Sequence, residues 1–588
     1  MAAQGTEELS SKTNIYVRRQ KFERLRHQLE IERASFKSQW RDNNDYILPR
    51  RGRFFVSDAN KGDRRNLNII DSTASLSART LRSGMMGGIT SPARPWFRLT
   101  VPDPDLSENE EVKQWLHLVT TRMTTVFLRS NLYNVLPIIY GDLGVFGTAA
   151  MMMEEDFDNV LRFYPFPIGS YMISNNERLM VDVFVREFRM TVRQVVNRFG
   201  RDPNEPNKIN WDNISTKVKS LWSTNNPEAW IDIVHVIMPN ENYDPNKLDS
   251  KYKKYISVYY EQGFAGHNTQ GYYSTGIDDN KFLSEKGYDF FPVLCPRWEI
   301  TGEDVYGTDC PGMTAIGDIK QLQTGEKRSL QAIEKMINPP MIAPTSLRNA
   351  KASILPGDIT YADLRDGQAG FKPAHEVRFD VGTMEQKQEQ VRGRVRQAFY
   401  ENLFLMLANS DRRQITAREI EERHEEKLLA LGPVLEQLNQ DLLDPLIDNA
   451  FNIMIAQDLL PPPPQEIAGK ELKVEYISIM AQAQKLVGLG GIERFVGFAG
   501  QIGQQAPTVL DKIDGDQIID FYGDLTSIPP GIVRSDDEVV KIREQRAQAQ
   551  AQAQKAQQMQ EMAKSAKDLS QADTGGDNAL TKLMANGG

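Results

Sequence analysis

The chain has 588 residues, 40% of them hydrophobic and 25% charged, with a formal net charge of −9. That length can bury a core large enough for several domains, and no apolar run approaches the roughly eighteen residues of a membrane helix. The acidic balance excludes a protein that grips nucleic acid by counterion release, which needs clustered Lys and Arg, but not a surface past which DNA slides. Cys295 and Cys310 are the two cysteines, too few for a disulfide scaffold and not spaced for zinc or redox work, so two inert thiols are expected. The start, Met1-Ala2-Ala3-Gln4-Gly5, lacks the basic segment and apolar core of a signal peptide, and residence in a cytoplasm is the expectation.

Residues 14–46 carry Phe22, Leu25, Leu29, Phe36 and Trp40 at helical spacing among Lys, Arg and Glu, the pattern of an amphipathic helix. Arg50-Arg51-Gly52-Arg53 reads as a solvated basic loop. Arg82 to Pro92 is dense in glycine and reads as a glycine loop after a helix. No Gly-x-x-x-x-Gly-Lys-Ser/Thr arrangement occurs there or elsewhere, so no nucleotide site is implied. A second amphipathic helix is expected over Glu108–Leu128. A third is expected over Leu132–Ala150, where Gly141, Gly144 and Gly147 suit a closely approached backbone. From Met151 to about residue 300, β-branched and aromatic runs such as Val181–Val185, Trp230–Met238 and Tyr255–Glu261 predict strands separated by turns, an α+β region.

Glu303, Asp304 and Asp309 lie close in sequence; acids capping the next helix explain them better than a metal site does. That helix is expected over Gly312–Ile337, ended by Asn338-Pro339-Pro340. Short strands then run to about Gly382, and a very polar helix follows from Met384 to Leu405. A polar connector from Met406 to Ile415 contains Asn409, Ser410, Arg412, Arg413 and Gln414. From Thr416-Ala417-Arg418-Glu419, a capping box, Ile420, His424, Leu428, Leu431, Leu435, Leu438, Leu442 and Leu446 mark one side of a helix of roughly 60 Å. Gly432 and Pro433 predict a kink in it, and Pro445 a second bend. Pro461 to Pro464 is stiff and extended. Val474–Ile477 suits a strand. Glu544 to Lys567, mostly Gln and Ala, suits either a helix supported by neighbouring copies or a disordered tail.

Several stretches together resemble the portal, or head-to-tail connector, proteins of short-tailed, podovirus-type bacteriophages. They are Arg82 to Arg98, Gly144 to Glu155, and Tyr306-Gly307 through Gly317-Asp318-Ile319-Lys320 to Asn338-Pro339-Pro340. Thr416-Ala417-Arg418-Glu419, Leu431-Gly432-Pro433 and Asp444-Pro445-Leu446 complete the set, and the likeness spans about residues 15–525. It implies a helix-rich α+β portal subunit, with a wing over 1–311, a two-helix stem at 312–337 and 384–405, and a small β-containing clip at 338–383. A channel (tunnel) loop over 406–415, a long kinked helix over 416–460, a helical crown over 461–530 and a Gln/Ala-rich barrel helix or loose tail over 531–588 complete the subunit. By the same resemblance Arg412 and Arg413 meet phosphates transiently, while Asn409, Ser410 and Gln414 offer hydrogen bonds without strong holding.

The implied assembly is a dodecameric ring at one capsid vertex, put together in the host cytoplasm and carried in the virion. Double-stranded DNA passes through its channel during packaging and ejection. The implied partners are the terminase motor, tail adaptor proteins, scaffolding and major capsid proteins, and internal ejection proteins. No membrane insertion, cofactor, metal or catalytic residue is implied, and the acidic chain suits a channel that does not trap the duplex. Two readings compete. A cytoplasmic coiled-coil scaffold leaves the glycine-rich stretch and the β-rich region without purpose. A metal-dependent hydrolase on Glu303, Asp304 and Asp309 finds no His-Glu-x-x-His or Ser/His/Asp arrangement to support it.

Overall fold

The structure is a computed structural model, and it describes residues 2–54, 64–103, 106, 109–201, 208–262, 281–342, 372–373, 380–409, 431–467, 469 and 472–477, then 495–499, 501–502, 515–518 and 536–571. The chain divides into two units, Met1–Val487 and Gly488–Gly588. In the first, helix α1 (Ala2–Tyr46) leads to α2 (Thr73–Ile89), strand β1 (Phe97–Thr100), α3 (Glu110–Arg129) and α4 (Leu132–Phe146). The strands β2 (Ala150–Asp156), β3 (Val160–Phe166), β4 (Tyr171–Asn175), β5 (Val181–Thr191), β6 (Trp230–Pro239), β7 (Tyr255–Glu261), β8 (Ser284–Tyr288) and β9 (Val293–Leu294) follow. Among the described residues no helix is long and apolar enough to cross a membrane.

Strands β4 to β8 form one antiparallel sheet in sequence order. Alternation of side chains sorts its residues onto two faces. Phe188, Met190, Ile231, Ile233 and Tyr259 meet Val192, Val195 and Val218 from the short helices that follow β5, and Ile214 from the turn between them. On the other face Val185, Val234, Val236, Val258 and Tyr260 pack against Phe22 and Leu29 of α1. The apolar periodicity of residues 14–46 is therefore the stripe that covers a sheet. Strand β3, β2 and β9 make a second, three-stranded sheet.

The glycine-dense stretch Arg82–Pro92 is not a loop: α2 runs through it to Ile89. Gly84 in it serves approach rather than turning. A Cβ on Gly84 would lie 2.2 Å from the ring of Phe404, and one on Gly144 of α4 would lie 2.1 Å from Leu81. The α2–α4 contact is thus closed to any side chain at Gly144.

The leucine seam is core. Helix α5 (Pro311–Ile337), strands β10 (Met341–Ile342) and β11 (Lys372–Pro373), and helices α6 (Val381–Ala398) and α7 (Glu401–Asn409) precede it. The seam itself lies on α8 (Gly432–Leu438), a π-turn (Asn439–Leu443) and α9 (Asp444–Ala456). Leu431, Leu435, Leu438, Leu442 and Leu446 are all buried there. The capping box at Thr416–Glu419, with Ile420, His424 and Leu428, lies outside the described residues. Gly432 and Pro433 occupy the first turn of α8 after a turn at Leu431, where the missing proline amide costs nothing. Within the described part the irregularity is the π-turn, immediately before Pro445. Strand β12 (Lys473–Tyr476) pairs antiparallel with β1, Phe97 opposite Tyr476 and Thr100 opposite Lys473. In the second unit, α10 (Asp536–Gln571) is a single helix, exposed from Glu544 to Lys564.

One buried ion pair joins the late helix to the sheet region. Arg297 is 1% exposed and Asp441, in the π-turn, 4%. The Arg297 Nε and Nη2 donate to the two Asp441 oxygens at 2.9 and 3.0 Å, and Nη2 also donates to the Leu179 carbonyl at 2.8 Å. Gln437 Nε2 donates to Asp441 at 2.9 Å. Removing one member of such a pair leaves a buried charge unmatched, at about 3–5 kcal/mol. Asp441→Asn is therefore expected to lower unfolding stability by about that much in urea melts. Arg297→Met combined with Asp441→Leu should recover most of the loss, and a single variant as stable as the parent would show that the pair is dispensable.

His235 is fully buried on β6, stacked on Tyr259 at 3.7 Å between ring centroids, with Nε2 2.9 Å from Ser257 Oγ. Burial, reinforced by Arg186 and Arg198, holds its pKa well below the ordinary 6.5. The unfolded chain therefore takes up a proton here that the folded chain refuses. The stability difference is full above pH 6.5 and lost as pH falls from there toward the depressed folded value. Between pH 6.5 and 5, the parent should lose stability more steeply than His235→Phe, by about 1 kcal/mol per pH unit in denaturant melts; parallel pH profiles would refute this.

Candidate channel-facing helix pair

Helix α5 starts where the sequence places its caps. Asp309 Oδ1 accepts from the Cys310 amide at 2.7 Å and from the Thr314 hydroxyl at 2.9 Å, and Pro311 fills the first turn. Asp304 accepts from the Thr301 hydroxyl. Asp304 and Asp309 thus brace the turn that leads into the helix, and among the described residues no group of three or more His, Cys, Asp or Glu converges as a metal site. Met313, Ala315, Ile319 and Leu322 bury the first half of α5. The second half, from Leu330 to the Asn338-Pro339-Pro340 stop, stands mostly in solvent.

Helix α6 is capped by Asp380, whose side chain accepts from the amides of Gly382 and Thr383. It packs antiparallel to α5, as three cross-links in reversed order show. Arg394 Nη2 donates to Asp318 at 2.7 Å, Arg392 Nη2 to Glu326 at 2.5 Å, and Gln388 Nε2 to Ser329 Oγ at 3.0 Å. The hydrogen bond from Arg394, with its charge, holds the Asp318 carboxyl below the usual carboxylate range. Arg392 also reaches Asp71 at 2.9 Å and Glu389 at 3.2 Å. It thereby fastens the pair to the start of α2, where Gln323 Oε1 accepts from the amides of Ile70 and Asp71. At the far end β10 and β11 pair antiparallel, Met341 opposite Pro373, so the chain leaves and returns side by side; residues 343–371 lie outside the described set.

The two helices carry eight basic and five acidic residues, a local excess of positive charge on a chain of net −9. The acidic average is carried elsewhere. Lys327, Arg328, Lys335 and Lys387 are exposed, and no carboxylate lies within 4 Å of any of them among the described residues. Arg328 and Lys387 flank a groove between the helices that is floored by Leu322 and Val391. Exposed cations without fixed partners can meet passing phosphates and release them, since each contact is weak and screened.

The polar helix expected over Met384–Leu405 is two helices. The chain breaks at Phe399–Tyr400, where Tyr400 takes a left-handed φ of +53°. This turn buries Phe399, Leu403 and Phe404 and brings Phe404 against Gly84, so the packing of α7 on α2 accounts for the break. Asn409 is the last residue of α7; Ser410, Arg412, Arg413 and Gln414 lie outside the described residues. Helices α7 and α8 approach one another. Asn402 and Leu403 of α7 and Pro433, Val434 and Gln437 of α8 line one cleft of about 900 Å³, together with Trp298 and Tyr400.

Sequence reasoning did not single out Arg392, Asp71 or the four free cations. The available signal was Glu326-Lys327-Arg328 set against the run Arg392, Arg394, Arg396 on a helix of otherwise uncharged polar residues. A family model described as bacteriophage head to tail connecting protein matches residues 19–533. The chain is 48% identical over 557 residues to a portal protein of Salmonella phage epsilon15, covering 95% of this chain and 96% of that one. It is 42% identical over 556 residues to a probable portal protein of Bordetella phage BPP-1, with 95% and 96% covered. Matches that run end to end at such identity carry the whole fold and not a shared motif, and the chain belongs to the head-to-tail connecting, or portal, proteins of bacteriophages.

Proposed function

We propose that about twelve copies of this chain close into a ring with cyclic symmetry around a DNA channel at one vertex of the phage head. Packaging and ejection pass through that channel, and the ring offers a docking platform first to the terminase motor and then to tail adaptor proteins. The ring assembles in the host cytoplasm, among scaffolding and major capsid proteins, and performs no chemistry of its own. The observation that carries this reading is the antiparallel pair α5–α6, polar on its surface and closed at its far end by β10–β11. In a ring it is the stem, the excursion 338–383 is the clip, residues 1–311 with the seam helix are the wing, residues 461–530 are the crown, and residues 531–588 are a Gln/Ala-rich barrel helix or tail. The far end exposes Leu330, Met336, Ile337, Met341 and Ile342 in the single chain, apolar surface that a neighbouring copy covers.

The loop from Asn409 to Gln414 is the channel loop in this reading. What supports that role is the loop's place in the chain, between α7 and the seam helix. The cations Lys327, Arg328, Lys335 and Lys387 add weak phosphate contacts along the stem.

Native mass spectrometry with negative-stain imaging of the full chain should give a closed particle of about twelve subunits with a central hole. A monomer or dimer lacking a hole would overturn the ring. Replacing Arg412 and Arg413 with Ala should leave rings intact while altering DNA packaging or retention. Phage assembled with that variant at normal genome content and normal retention would overturn the loop assignment.

A further inference from the structure

Away from the stem, α1 and the first edge of the five-stranded sheet enclose a cavity of about 390 Å³. Its lining includes Arg26, Glu30, Arg33 and Lys37 from one side of α1, Glu187 from β5, and Arg53. The described lining therefore holds four cations and two carboxylates. Glu187 is held by Arg26 Nη1 at 2.6 Å. Among the described residues Glu30 is the nearest carboxylate to Lys37, at 3.7 Å, and it also lies 3.5 Å from Arg26 and 3.8 Å from Arg33, too far for a hydrogen bond with any well-formed geometry. Arg26 is already matched, since its Nε also donates to Glu23 at 3.0 Å, so Glu30 is shared loosely by Arg33 and Lys37, with Glu187 a further 4.0 Å from Arg33.

Arg33 is the more telling member. It is 2% exposed, and its Nη1 donates to the Gly169 carbonyl at 2.8 Å, yet its Nε has no hydrogen-bond partner among the described residues. A buried guanidinium N–H left unmatched costs free energy that a bound acceptor would remove. Burial, with Arg33 alongside, pushes the Lys37 ammonium below its ordinary range, as expected of a cation that lacks a close anion. A cavity of this size has the dimensions of a small-ligand site.

We infer that this cavity binds a phosphate-bearing oxyanion, with Lys37 and Arg33 as its donors. Charge-assisted hydrogen bonds from guanidinium and ammonium groups are the strongest available for such a ligand. The volume admits a phosphate ester as well as free phosphate. The site lies on the sheet rather than on the α5–α6 pair, so it neither needs the ring nor tests it.

The test is the thermal unfolding of the full chain in sodium phosphate, with sodium chloride holding ionic strength constant. A ligand bound to the folded state alone raises the midpoint saturably. The parent should show that rise, and Lys37→Gln should weaken the apparent affinity about tenfold, the loss of one charge-assisted contact. Lys37→Arg should keep the response, as should Lys247→Gln, whose site is on a distant exposed turn. Adenosine monophosphate in place of phosphate separates the sources: tighter binding identifies an ester as the ligand, equal binding identifies the bare oxyanion. A parent midpoint that moves no further in phosphate than in chloride, or an equal rise in Lys37→Gln, overturns the assignment.

Discussion

The ion pair between Arg297 and Asp441 is the constraint on which the first unit depends. Arg297 follows the short strand β9, which closes the three-stranded sheet, and its guanidinium reaches the β4–β5 corner through Leu179. Asp441 sits in the late helical segment, 144 positions further along. Two charges with almost no access to water persist only because each is matched. The match therefore specifies one orientation of the seam helix against the sheets, where leucines alone would tolerate sliding. The π-turn is the local cost of this arrangement: an extra residue in the turn changes the rotation of the helix and puts Asp441 opposite Arg297 while Leu438 and Leu442 stay inside. Gln437 then occupies a further lone pair of the carboxylate.

The same logic repeats at the surface with lower stakes. Arg392 gathers Asp71, Glu326 and Glu389, and so ties α5, α6 and the entrance of α2 into one body. These groups are partly wet, and their individual contributions are small. What they fix is direction. With α2 held to α6 and, through Gly84 and Gly144, to α7 and α4, the helix pair projects from a rigid base, and its exposed cations keep a defined spacing. A passage for a polyanion needs that combination of stiff support and shallow, replaceable contacts.

Legibility in the sequence followed the range of the interactions. Period alone revealed the seam at Leu431, Leu435, Leu438, Leu442 and Leu446, the strands at Val181, Trp230 and Tyr255, and the stripe of α1, because those signals lie within a turn or two of one another. Asp441 lies between Leu438 and Leu442 of the seam and drew no attention by period. Its partner was not visible either, because nothing local ties position 297 to position 441. The stretch around Gly84 reads as a loop by composition, and only Phe404, from a helix far along the chain, explains why it is helical and glycine-rich. The break at Tyr400 carries no glycine or proline and answers to burial of Phe399 and Phe404. The loop at Asn409–Gln414 had no local signal beyond polarity. Its proposed role came from the order of weak motifs along the chain, which composition and period do not encode.

The pairing of β1 with β12 has a consequence in time. Arg98 lies 377 positions before its cross-strand partner Glu475. At the usual pace of synthesis that interval takes roughly 20 to 75 s. Throughout it the nascent chain holds Phe97 and Leu99 on a strand whose edge has nothing to bond to, a template for whatever strand arrives first. Wherever many copies are made at once, neighbouring ribosomes carry the same open edge. The two-residue alternation of Phe97-Arg98-Leu99-Thr100, which sets a charge between the apolar side chains, then acts as a safeguard during manufacture as much as a contact in the finished subunit.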